Sequence, residues 1–213
     1  MPLEPWAAHL VYALAWLSFG VGHSWLANAS VKARLRPWLG AWERLAYNLF
    51  ALVHVAAVLA VGWWALGDAP AFALPGWLEA VMLAVSALGV FLLLYFAQSY
   101  DLGRFAGTHQ LRMARRGDIS AAEAADDEPL QTDGVHAWVR HPLYSAAFLV
   151  LWGRSVDPLG LATAVWASLY LLIGSRFEER RLLRLYGEAY ARYREKVPAF
   201  VPWRGRVNVN IPD

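Results

Sequence analysis

The stretch Gly134-Val-His-Ala-Trp-Val-Arg140-His141-Pro142-Leu-Tyr144 runs polar chemistry straight into an apolar segment of membrane grade. The apolar region continues from Leu143 to Gly174, too long for one crossing, and is interrupted by Arg154 and by Asp157-Pro158-Leu159-Gly160. A proline inside such a run ends one helix and starts another, so the region reads as two shorter helices folded into a hairpin, the second from about Leu159 to Gly174. A second polar cluster, Arg176-Phe-Glu178-Glu179-Arg180, stands where the apolar region ends. Two charged clusters bracketing one membrane hairpin point to a site at the membrane surface.

Working outward, three further apolar runs precede the hairpin: about Ala7 to Ala27, Leu45 to Leu66 and Trp77 to Gln98. Each approaches the roughly 20 residues a helix needs to cross a hydrocarbon core of about 30 Å. The first run is too long for a signal-peptide core, and no Lys or Arg precedes it, so it reads as a retained span. The composition agrees: 58% of the 213 residues are hydrophobic, 12 are Trp, and only 17% are charged, against about 25% in soluble domains. The fold expected is therefore all-α and integral to the membrane. It has about five transmembrane helices, the last two a hairpin, followed by a cytoplasmic amphipathic helix. We read residues 1–213 as a single membrane domain. Residues 1–106 hold three N-terminal spans. Residues 107–213 hold the polar loop 112–134, the hairpin 143–174 and the C-terminal helix 176–197.

Loop charges suggest an orientation. Lys32, Arg34, Arg36 and Arg44 lie between the first two spans, only Asp68 lies between the next two, and Arg104, Arg112, Arg115 and Arg116 follow the third. Lys and Arg excess marks the cytoplasmic side, which puts the N-terminus outside and the C-terminus and both polar clusters inside. The net charge of +2, carried by these loops, speaks to a membrane rather than to nucleic acid. The acidic loop 118–128 reads as a solvated segment or as a lid.

Zero cysteines exclude disulfides, thiolate metal sites and a cysteine nucleophile. There is no glycine-rich phosphate loop and no metalloprotease histidine spacing, and no metal site is expected. His23 and His54 lie within spans, where a histidine pair at matched depth can ligate haem. A haem-binding membrane component of nitrogen-oxide metabolism is thus the rival from another class. Past Arg176, the residues Leu182, Leu185, Tyr186, Ala189, Tyr190, Tyr193 and Val197 recur at helical spacing and mark the amphipathic helix. Glu178 and Glu179 lie one turn before Leu182 and Leu183, at the flank of that apolar face. Buried carboxylates need partners, and spacing alone allows either an internal Arg or a cationic ligand.

These motifs in order, with Tyr186-Gly187-Glu-Ala-Tyr190 and Val197-Pro198-Ala-Phe200-Val-Pro202, resemble the isoprenylcysteine carboxyl methyltransferase and phospholipid methyltransferase superfamily over the last 80 residues. His23-Ser-Trp-Leu-Ala27, Tyr47-Asn48 and Gly107-Thr-His-Gln110 resemble its bacterial branch of methanethiol methyltransferases and NnrU-like proteins. His136-Ala137-Trp138 departs from the family, which often has Tyr-Arg there. The resemblance implies a membrane methyltransferase with S-adenosylmethionine as cofactor. Gly134, Val135, His136, His141, Pro142, Tyr144, Glu178 and Glu179 would then hold the cofactor. Arg140 and Arg176 would meet its carboxylate or an acceptor anion, and His109 or His136 would serve as a base. The acceptor implied is a small thiol or lipophilic molecule. Carboxyl O-methylation of an isoprenylated cysteine and N-methylation of a lipid amine are the alternatives, and membrane lipid is the surrounding partner.

Overall fold

The computed structural model describes residues 3–117 and 130–208, and every regular element among them is helical. In order these are α1 Pro5–Ala27, α2 Ala29–Leu39, a 3-10 turn Gly40–Trp42 and α3 Glu43–Leu66. Then come α4 Gly76–Ala97, the short α5 Leu102–Ala106 and α6 Thr108–Arg115. A 3-10 turn Gly134–Ala137, α7 Pro142–Gly153 and α8 Pro158–Lys196 complete the set. The acidic loop 118–128 lies outside the described residues.

Four helical stretches are long and apolar enough to cross a membrane: Pro5–Ala27, Ala29–Leu66, Gly76–Ala97 and Pro158–Lys196. Large apolar side chains cover their outer faces; Trp63 is 71% exposed and Leu94 66%. In water such a surface would aggregate, whereas in lipid it is solvated. The protein is an integral membrane protein. Helix α7, at 12 residues, reaches only about 18 Å at 1.5 Å per residue and is the short arm of the hairpin.

The chain groups into two compact units, Met1–Pro70 with Tyr100–Glu128, and Ala71–Ser99 with Pro129–Asp213. In the first, α1 and α3 run antiparallel, with Ser18 opposite His54 and His23 opposite Tyr47. Large rings fill this seam: Tyr12, Trp16 and Phe19 of α1 are buried. Asn28 caps α2, its side chain accepting from the Ser30 amide at 2.9 Å. The run 29–39, read from sequence only as a charged loop, is thus a helix.

The second unit packs by the opposite device. Small residues bring α4 and α7 together. A Cβ on Gly89 would stand 2.6 Å from the Val150 amide, and one on Gly153 would stand 2.5 Å from the Ser86 amide. Small-residue seams of this kind let membrane helices meet backbone to backbone. The turn into α8 follows the expected chemistry. Pro158 is the first helical residue and the Asp157 carboxylate accepts from the Gly160 amide at 2.7 Å.

Helix α8 continues through Gly174 and Arg176 rather than stopping between span and amphipathic helix. Nothing at Gly174 forces a break, since a glycine alone costs a helix only about 1 kcal/mol. The interruption falls at Gly187, where φ is 54° and ψ is −126°, a backbone that side chains with a Cβ avoid. Tyr190, Tyr193 and Val197 form a buried cluster with Leu130, Leu182, Leu183, Tyr186 and Val207, while Leu185 is 49% exposed. Unbroken helical spacing had placed Leu185 on the apolar face.

Candidate functional site

The site is assembled within the second unit where α7 begins, at the middle of α8 and along the segment after it. Pro142 starts α7, so the residue before it is held outside the helix and His141 becomes its N-cap. Two backbone bonds then tie this entry to the segment after α8: the Arg140 amide donates to the Pro198 carbonyl at 2.9 Å, and the His141 amide to the Ala199 carbonyl at 3.0 Å. The Ser145 hydroxyl donates to the Phe200 carbonyl at 2.7 Å, and the Tyr193 hydroxyl to the His136 carbonyl at 2.8 Å.

Into this frame α8 delivers its two carboxylates. Glu179 Oε1 accepts from Arg140 Nε at 2.8 Å and Nη2 at 2.6 Å. The remaining Arg140 nitrogen, Nη1, donates to the carbonyls of Arg194, at 3.0 Å, and Val197. One guanidinium thus joins the hairpin entry, the middle of α8 and the end of α8. Its side chain is 11% exposed and that of Glu179 17%, a geometry in which a charge-assisted pair is strong and in which losing one partner is costly. His141 Nε2 lies 3.1 Å from the same Glu179 oxygen.

Glu178 differs. Its side chain is 47% exposed. One oxygen, Oε2, accepts from the Tyr144 hydroxyl at 3.2 Å and faces His141 Nδ1 at 3.6 Å. The His141 and Tyr144 rings are stacked, 5.4 Å between centroids and 6° between planes, and Phe200 flanks His141 at 5.4 Å. Phe148 in turn meets Phe200 edge-on at 5.3 Å. Burial disfavours protonation of His141, but the hydrogen bonds and charges of Glu178 and Glu179 outweigh it and hold its pKa above the ordinary 6.5. His136 shifts the other way. Burial is the dominant cause, and its imidazole stays neutral at pH 7.

The structure therefore brings His141, Pro142, Tyr144, Glu178, Glu179 and Arg140 together. Gly134, Val135 and His136 form the 3-10 turn leading into the same entry. Arg176 is exposed on α8. His109 is on α6 in the first unit, beside Gly107 and Gln110. A Cβ on Gly107 would stand 2.8 Å from the Leu45 amide, and buried Gln110 reaches the Arg104 carbonyl at 3.4 Å, so this element serves helix packing. His23 and His54 are engaged with Tyr47 and Ser18. Among the described residues no group of three or more His, Cys, Asp or Glu could hold a metal ion. Sequence reasoning gave no role to Ser145, Phe148 or Phe200. The signal was the Pro198-Ala-Phe200-Val-Pro202 run, whose two prolines forbid helix and leave an extended arm free to return.

A half-buried carboxylate, a stacked imidazole and phenol, and a second carboxylate locked to arginine, all at the mouth of a membrane hairpin, define a site suited to a cationic, ring-bearing ligand. The chain is similar to methanethiol S-methyltransferase 1 of Bradyrhizobium diazoefficiens, 27% identical over 94% of this chain and 69% of that protein. It is 37% identical to the methanethiol S-methyltransferase of Crocosphaera subtropica over 36% of this chain and 30% of that protein. It is 32% identical to the human protein-S-isoprenylcysteine O-methyltransferase over 42% of this chain and 33% of that protein. Neither a protein-family model nor a solved structure matches. The chain is a membrane methyltransferase. It is similar over most of its length to methanethiol S-methyltransferases and over part of it to protein-S-isoprenylcysteine O-methyltransferases.

Proposed function

We propose that the protein methylates the sulfur of a small thiol, using S-adenosylmethionine bound at the Glu178 site, on the cytoplasmic face of a bacterial inner membrane. The observation that carries the cofactor assignment is the division of the carboxylate pair: Glu179 is neutralised by Arg140, while Glu178 stays half-exposed beside the His141–Tyr144 stack. That donor set fits an ammonium or ribose hydroxyl on the carboxylate and an aromatic ring on the stack. The bound cofactor supplies an electrophilic sulfonium methyl, so no protein nucleophile is needed.

In this reading Glu178 accepts the cofactor's hydrogen bonds, and His141 and Tyr144 bind its ring. Pro142 and the backbone of Gly134, Val135 and His136 shape the wall. Glu179 holds Arg140 and His141 in place, which makes Arg140 a positioning residue. Arg176, exposed on the same helix, meets the cofactor carboxylate or an acceptor anion. His136, kept neutral by burial, is the favoured base for the acceptor thiol, and His109 is the alternative. Basic loops on one side of the spans support the cytoplasmic orientation.

The small thiol is favoured because the likeness to some methanethiol S-methyltransferases covers 92–94% of the chain, whereas the likeness to the human isoprenylcysteine enzyme covers 42% of it. Purified protein given methyl-labelled S-adenosylmethionine and methanethiol should form labelled dimethyl sulfide. Labelling of a farnesylcysteine carboxylate instead, with methanethiol inert, would replace the thiol reading with carboxyl O-methylation.

A further inference from the structure

The face of α8 opposite Glu179 changes character along its length. Glu179 turns inward to Arg140, and Leu182, Leu183 and Tyr186 pack on the buried cluster. At about 100° per residue, the other side of the helix runs through Leu169, Ile173, Phe177, Arg180, Arg181 and Arg184. All six are exposed, Ile173 at 53% and Phe177 at 57%. The helix is unbroken from Pro158 until Gly187. The three arginines therefore continue the same face that Leu169, Ile173 and Phe177 present to lipid.

Length sets the depth. About 20 residues at about 1.5 Å each cross a hydrocarbon core of about 30 Å. Counted from Pro158, the first residue of α8, that reach ends near Phe177. The arginines follow about 5 to 10 Å further along the axis, at the level of lipid phosphates. Helical Cα–Cβ bonds tilt toward the N-terminus, which for this stretch of α8 is toward the bilayer. Arg180 shows that lean: its guanidinium lies over the Phe177 ring, 5.8 Å from the centroid and one turn nearer the bilayer. Among the described residues none of Arg180, Arg181 and Arg184 makes an ion pair with a carboxylate. Glu178, on the flank, is turned to Tyr144 and His141, and Glu188 comes after the Gly187 kink.

We propose that this outer face of α8 is a contact surface for anionic phospholipid, with Arg180, Arg181 and Arg184 on headgroup phosphates and the acyl chains alongside Phe177 and Ile173. A guanidinium presents its donors as a planar fork that matches phosphate oxygens two at a time. The occupant is a lipid because the basic stretch begins where the apolar one ends, on one face, and its cations lean toward the bilayer. A zwitterionic lipid brings an ammonium of its own to three cations and is disfavoured.

Native mass spectrometry of the full-length, delipidated protein tests this, with dioctanoyl-phosphatidylglycerol, dioctanoyl-phosphatidylcholine or inorganic phosphate as probe. Phosphatidylglycerol should bind in clear preference to phosphatidylcholine. Each of Arg180→Gln, Arg181→Gln and Arg184→Gln should weaken it about fivefold, the share of one cation near a headgroup, and the triple variant about a hundredfold. Thermal midpoints should stay at the wild-type value, since these side chains hold no ion pair. A control with Arg34→Gln, Arg115→Gln and Arg116→Gln removes the same number of charges from the first unit and should keep the lipid preference. Equal binding of the two lipids would overturn the proposal, as would an unchanged triple variant or an equal loss in the control. Inorganic phosphate displacing the lipid at the lipid's own concentration would overturn it too, by showing that the chains contribute nothing. Methyl transfer is not read in this experiment, so its outcome is independent of the catalytic assignment.

Discussion

The two units each place histidines against hydroxyls and rings inside a low-dielectric region, and they do so with opposite electrostatics. In the α1–α3 seam each histidine meets a hydroxyl: His23 with Tyr47, and His54 with Ser18, and both imidazoles also meet Phe19 at 5.5 Å. Where α7 meets α8 the cluster is charged, with two carboxylates, a guanidinium and a histidine held toward protonation. A single hydrogen bond between an imidazole and a hydroxyl in a membrane is worth only about 0.6 kcal/mol on average. A charged cluster asks for balance, and here the balance is uneven: Glu179 has Arg140, while Glu178 has a phenol and a shared histidine. That asymmetry is what supports the proposed ligand site at Glu178 and not in the α1–α3 seam.

The comparison breaks most easily at Glu179. Glu179→Ala leaves Arg140 with no counter-ion at 11% exposure, which should cost about 3–5 kcal/mol. A steep fall in the thermal midpoint of the purified protein, together with lost donor binding, is expected. Gly153→Leu should cost at least about 1–3 kcal/mol by overpacking the α4–α7 seam that carries the site. The same measurement should show a smaller fall than for Glu179→Ala. Glu178→Gln keeps shape and burial, so the fold should survive and only donor affinity should drop.

The pH dependence sharpens the contrast. The His141 pKa is raised in the folded protein, so its stabilising contribution is fully present below 6.5 and is lost as pH rises through the raised value. Thermal midpoints taken from pH 6 upward should decline over that window in the wild type and less in His141→Gln. The smallest effect is expected in the α1–α3 seam. Tyr47→Phe removes one membrane hydrogen bond to His23, worth about 0.6 kcal/mol on average, and should barely move the midpoint.

The spans were legible because a bilayer imposes length and composition on each helix separately. The expected run from Leu45 to Leu66 became Glu43–Leu66, and Trp77 to Gln98 became Gly76–Ala97. The break at Asp157-Pro158 was legible for a local reason too, since cap and proline chemistry needs only neighbours. The participants of the site were legible as motifs, but the pairing was not. Arg140 and Glu179 are 39 residues apart, and helical spacing shows only that Glu179 needs some cation. Leu185 was misplaced because the buried face of this turn runs through Leu182, Leu183 and Tyr186, which leaves Leu185 at its edge, 49% exposed. Phe200 was missed because an arm returning over His141 leaves no periodic trace.

Donor binding as proposed depends most directly on Glu178 as the donor-facing carboxylate. Titration calorimetry of S-adenosylmethionine into wild-type and Glu178→Gln protein of matched thermal midpoint measures that alone. Loss of a charge-assisted hydrogen bond is worth about 1.5–3 kcal/mol, so Kd should rise by about tenfold or more in the variant. Equal affinity in both proteins, or a wild type that binds no donor, would contradict it.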